Sequence, residues 1–172
     1  MKNHLAVALL LCAFAIVDLG APADAQNVLT THRLSAALAS EAVTAAVAAC
    51  AKQGYKVTAA IVDADGVEQA LLRGDGATIT ALDASRDKAY TALMLGAPRN
   101  ENSSGAVASR IGANATAGGL AKLPHILLLQ GGLVIRAGDE AIAAIGVGGA
   151  PGGNLDEACA KAGVDAIGER LR

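Results

Sequence analysis

Aromatic residues are almost missing from this chain. Its 172 positions hold no tryptophan, one phenylalanine and two tyrosines, 2% in all, although 53% of the residues are hydrophobic. The core must therefore be assembled from Ala, Val, Leu and Ile, whose small side chains let helices approach a sheet closely. A large excess of charge of either sign is missing too. The net charge is −2 and no basic block occurs, which argues against nucleic acid or an anionic membrane surface as a partner. The usual catalytic signatures are absent: no G-x-S-x-G, no H-E-x-x-H, no C-x-x-C and no phosphate loop followed by Lys-Ser or Lys-Thr. On the residues alone, a binding protein is favoured over an enzyme.

The longest uninterrupted apolar stretch, Leu5–Val17, lies near the N-terminus behind Lys2 and His4 and ahead of an Ala-Asp-Ala sequence ending at Ala25. Positive start, short apolar run and small-residue exit are the three parts of a secretory signal peptide. Residues 1–25 are predicted to be that peptide and residues 26–172 one mature domain, periplasmic or secreted. The run is shorter than the roughly 20 residues needed for a permanent membrane span. Two cysteines, Cys50 and Cys159, remain in the mature part. An oxidising compartment invites a disulfide between them, but two buried apolar thiols in helices explain them equally simply and are the preferred reading.

Hydrophobic periodicity predicts a helix over His32–Lys52, started by Thr30 or Thr31 and stopped by Gly54. Lys56–Asp63 and Val67–Arg73 flank an Asp-Gly turn and predict a β-hairpin. A second helix covers Leu82–Leu95. Arg99–Gly119 is polar and glycine-rich, with at most short helical turns around Ala106–Ile111. Strands are predicted at His125–Gln130, Leu133–Arg136 and Ala141–Val147, and a last helix runs from Asn154 or Asp156 to about Leu171. This order is no βαβ alternation. It predicts an α+β domain with one five-stranded antiparallel sheet and flanking helices.

Candidate chemistry is sparse. His125 follows Pro124 and stands five residues before Gly131-Gly132, where an imidazole has the chemistry to ligate haem iron or another metal; a structural histidine is the alternative. Asp63-x-Asp65-Gly66 has the start of a calcium loop without its bidentate Glu, so turn formation explains it. Gly146-Val-Gly148-Gly149 has part of a nucleotide fingerprint without the βαβ setting, and close packing of a strand under a helix is the simpler reason for those glycines. Arg73, Arg86 and Lys88 have the chemistry to converge on a carboxylate or other anion.

Taken in order, Ala60-Ile-Val-Asp63-Ala-Asp-Gly66, Leu72-Arg73-Gly-Asp75-Gly-Ala77, Lys88-Ala-Tyr-Thr-Ala92, Gln130-Gly-Gly132, Ala144-Ile-Gly-Val-Gly-Gly149 and Asp156-Glu-Ala-Cys159-Ala-Lys-Ala-Gly163 resemble the GlcG/HbpS-like, haem-binding or haem-degrading family. The pieces span nearly the whole mature chain. The resemblance implies a profilin-like layered fold, assembly into homo-oligomers, and haem binding by redox-linked accessory or sensor proteins. Two functions are then expected. In the first, haem or another tetrapyrrole is held with His125 as the metal ligand and its propionates near Arg73 or Lys88. In the second, the domain is a binding or enzyme-accessory module for a short, glycolate-like carboxylate and uses no haem.

Overall fold

A computed structural model describes residues 29–114 and 117–171. The expected signal peptide lies outside the described residues. Among the described residues no helix is long and apolar enough to cross a membrane.

The first helix, α1 (Ala36–Ala51), starts four residues later than expected. Ser35 is extended, and its hydroxyl accepts from the Leu38 N–H at 3.3 Å, so it caps the helix in place of Thr30 or Thr31. His32 lies ahead of the helix, its backbone N–H donating to the Glu140 carboxylate. Strands β1 (Thr58–Asp63) and β2 (Glu68–Arg73) form the expected hairpin. Asp63 fixes its turn: one carboxylate oxygen accepts from the N–H groups of Asp65 and Val67, each at 3.0 Å. Gly66 supplies the left-handed position, at φ 81°.

Helix α2 (Ile79–Thr91), capped by Thr78, runs on into a π-helical turn at Ala92–Gly96. The stretch after Arg99 holds more helix than expected, α3 (Ser104–Gly112), capped by Ser103. Strands β3 (Gly132–Ala137) and β4 (Glu140–Gly148) follow, then α4 (Gly153–Ile167).

Four strands, not five, make up the sheet, in the order β2-β1-β4-β3 and antiparallel throughout. The α+β class holds; the strand expected at His125–Gln130 does not form. Its N–H groups turn to other partners: Ile126 donates to Leu123 O and Leu129 to Leu127 O within the segment, and Leu127 to the Thr91 hydroxyl on α2. The outer edge of β3 is meanwhile occupied by Asn102 and Ser103, with Val134 N–H donating to Asn102 O at 2.9 Å. With no ladder to join, the apolar run lies on the surface; Leu123 and Leu129 are exposed.

Helices α1 and α4 cover one face of the sheet and α2 the other. Ile61, Ile135, Ile145 and Val147 fill the first layer with Val43, Ala46 and Ile167. Cys50 and Cys159 are disulfide-bonded in that layer, with a Cα–Cα distance of 5.6 Å, so the preference for free thiols is overturned. The helices carrying them pack side by side, which brings together two residues 109 positions apart.

The second layer is thin. A Cβ on Gly146 would stand 2.0 Å from the Ser85 carbonyl oxygen, and one on Gly132 would stand 2.2 Å from that of Lys88. Strand glycines therefore let α2 lie directly on the sheet, as the sequence suggests. Ala81, Ser85 and Ala89, spaced four apart, form the buried stripe of the helix.

Candidate functional site

The close seating of α2 fixes the positions of Asp87, Lys88, Tyr90 and Thr91. The segment from Leu123 to Gly131 is then clamped over this helix at two points. Thr91, fully buried, donates its hydroxyl proton to the Asp87 carbonyl at 2.7 Å and accepts from the Leu127 N–H at 2.8 Å. Ser104, at the start of α3, donates to Leu129 O at 2.7 Å and accepts from the Gly132 N–H at 2.9 Å. Two residues before the first clamp His125 adopts a left-handed backbone, φ 62°, uncommon for a non-glycine residue.

That backbone presents the His125 side chain at the surface, about half exposed. Its Nδ1 lies 3.1 Å from Asp87 Oδ1. A carboxylate oxygen accepts, so Nδ1 carries the proton, and in the neutral imidazole it is Nε2 that bears the lone pair. Tyr90 meets the ring edge-on, with centroids 5.7 Å apart and planes at 65°. Arg86 in turn lies 3.3 Å from Asp87 Oδ1 and 3.6 Å from Asp83. Imidazole, carboxylate and guanidinium thus form one chain of contacts along the outer side of α2.

Lys88 points elsewhere. It is buried, and its Nζ donates to Asp156 Oδ2 at 2.7 Å and to Val147 O at 3.1 Å. The other oxygen of Asp156 accepts from the Ala150 N–H at 2.9 Å. One ion pair therefore ties α2, β4, the glycine-rich loop and the first turn of α4 together. The pair lines a cleft of about 620 Å³ between the N-terminal parts of α2 and α4. Arg73 lies at the end of β2, donates to Ala77 O at 3.2 Å, and borders a different cleft of about 390 Å³ with Tyr55 and Lys56. No hydrogen bond, ion pair or ring contact joins any two of His125, Lys88 and Arg73 among the described residues. The expected meeting of Arg73, Arg86 and Lys88 is likewise not seen in these contacts.

Sequence reasoning passed over Asp87, Thr91 and Asp156. Asp87 reads as one more charge on a solvated helix face, and its histidine is 38 positions away. Asp156 reads as an ordinary first-turn acid, and only its burial marks it out. Thr91 carries no signal of its own. Among the described residues no three His, Cys, Asp or Glu side chains converge on a metal site.

Comparison with known proteins places this geometry in context. No curated protein matches the chain significantly. Among solved structures, a double mutant of HbpS from Streptomyces reticuli is 32% identical, with 95% of this chain and 99% of that one covered and a TM-score of 0.74. A second HbpS structure is 35% identical over 81% of this chain and 94% of its own, at a TM-score of 0.73. The haem complex of PduOC, 22% identical over 79% and 96% of the two chains, shares the fold at a TM-score of 0.69. The model of the family described as haem degrading protein HbpS-like matches residues 34–165, nearly the whole described domain, and the chain belongs to that family.

Proposed function

We propose that this chain is an exported haem-binding protein in which His125 Nε2 would ligate the iron. The observation that carries the reading is the tethered, half-exposed imidazole: Nδ1 is held by Asp87 and the basic nitrogen is left for a metal. Metal-binding histidines characteristically have their second nitrogen fixed by a carboxylate in this way. Apolar side chains close to His125 in the chain are available to a porphyrin. Exposed Leu123 and Leu129 flank His125 in the chain, and the edge of Tyr90 abuts the ring. Family membership and the relationship to HbpS support the same ligand.

Bound haem would supply an iron centre able to cycle between oxidation states. The protein's own residues do the rest. Asp87 sets the tautomer and the ring orientation of His125. Thr91 fixes the strained backbone that carries it, and Tyr90 restricts rotation of the imidazole. A redox-linked accessory or sensor role follows from that centre. With Lys88 occupied by Asp156, Arg86 is the cation nearest the imidazole in the contact chain.

Export rests on the N-terminal pattern at residues 1–25, and the Cys50–Cys159 bond suits an oxidising compartment. Self-association belongs to the same reading, with exposed Val67 and Ile79 as apolar surface available to a second copy; light scattering on the purified protein checks it.

Titrating haemin into the purified mature protein tests the proposal. A saturable Soret shift at micromolar protein is expected. A spectrum that remains that of free haemin sinks it.

A further inference from the structure

The cleft above Lys88 and Asp156 plays no part in the haem reading, and its chemistry points to a different ligand. A lysine ammonium has three N–H groups. Val147 O and Asp156 Oδ2 take two of those on Lys88, and among the described residues nothing accepts the third. A buried donor left unused is costly unless water or a ligand takes it. Here the side chain is only 4% exposed yet lines the cleft. The first turn of α4 opens on the same space. Gly152 provides no side-chain cap, and its carbonyl oxygen takes the N–H groups of Leu155 and Asp156, which leaves those of Gly153 and Asn154 unclaimed. Donors from two elements thus face one cavity.

We infer that this cleft is a binding site for a small organic monoanion, a short carboxylate that accepts from the third N–H of Lys88 and the first N–H groups of α4. Charge sets the limit at one. Among the described residues Lys88 and Asp156 are the only charged side chains lining the cleft, so a single ammonium, already shared with Asp156, faces an incoming anion, and a second negative charge on the ligand would meet Asp156 with no further cation to offset it. A ligand hydroxyl next to the carboxylate would find an acceptor in Asp156, whose oxygens each hold a single partner. A volume of about 620 Å³ leaves room for several heavy atoms beyond the carboxylate. Nothing in this site depends on His125 or on haem.

The test is calorimetric titration of the purified mature protein with acetate, lactate, acetamide and inorganic phosphate at constant ionic strength. Acetate and lactate are expected to bind saturably at millimolar concentrations. Acetamide, neutral but of the same shape, and phosphate should bind about tenfold or more weakly. Ala84→Phe fills the cleft from the surface of α2 without removing either charge of the ion pair and should abolish binding. The Lys88→Met, Asp156→Leu double variant removes both charges at similar volume and should do the same. His125→Ala should bind acetate like the parent, which separates this site from the haem proposal. Three outcomes overturn the inference: no saturable binding of either carboxylate, tighter binding of phosphate, or unchanged acetate binding by Ala84→Phe. The last decides the matter even where the double variant fails to fold.

Discussion

The seating of α2 on bare glycine makes one substitution predictable in detail. Gly146→Ala adds a single methyl group, yet that carbon would stand 2.0 Å from the Ser85 carbonyl oxygen and 2.7 Å from the Ala89 nitrogen. Ordinary contact begins at about 3.4 Å, and both obstacles are helix backbone that no rotamer change can move. Either α2 withdraws by about 1 Å or more, or β4 buckles. Withdrawal would loosen the buried stripe of Ala81, Ser85 and Ala89 along the helix. Overpacking of this kind costs about 3 kcal/mol or more. With a urea m-value of about 2 kcal/mol/M, the unfolding midpoint should fall by about 1.5 M. Gly112→Ala is the control. It lies in α3 with nothing within 4 Å and no left-handed φ, so the same methyl group should stabilise by about 0.5–1 kcal/mol. Urea titrations of both variants, followed by far-UV circular dichroism, check the pair. A Gly146→Ala protein within about 1 kcal/mol of the parent would refute the account of how α2 meets the sheet.

Three further predictions concern the charges and the cross-link. Lys88→Met or Asp156→Leu alone should cost about 3–5 kcal/mol, because each leaves a buried charge unpaired, whereas the double variant should recover most of the loss in a double-mutant cycle. A thiol count on denatured, unreduced protein should find Cys50 and Cys159 blocked. Reducing the bond, which spans 109 positions, should lower stability by up to about 5 kcal/mol in urea titrations. The hydrogen bond from Arg33 holds the Asp65 carboxyl below its ordinary value, so this pair contributes stability above about pH 4 and loses it as the pH falls through the depressed value. The Tm deficit of Arg33→Ala should accordingly be small at neutral pH, since the pair is exposed, and should vanish once the pH has fallen below the depressed value.

What the sequence made legible was local. The hairpin was readable because Asp63, Asp65 and Gly66 form its turn from residues within five positions of one another. Helices α1, α2 and α4 follow from apolar spacing, although α1 starts at the Ser35 cap and not at Thr30 or Thr31. The run after Pro124 was misread for a different reason. Its residues have the composition of a strand, but the Thr91 hydroxyl takes the Leu127 N–H and Asn102 takes the sheet edge. Side-chain bonds from distant elements leave no trace in local periodicity. His125 was visible as a rare imidazole beside a proline, whereas its carboxylate partner Asp87 was hidden among the charges of a helix. Lys88 was noticed as a cation, and its burial against Asp156 depends on how α2 and α4 pack.

The central claim, that His125 ligates haem with Asp87 orienting it, is tested most directly by haemin titration of the parent, His125→Ala and Asp87→Asn proteins side by side. The parent should give a saturable Soret shift, and His125→Ala should lose the signature of axial imidazole. Asp87→Asn should keep that signature while binding about 10- to 100-fold more weakly. Identical spectra and affinities for the parent and His125→Ala would contradict the account.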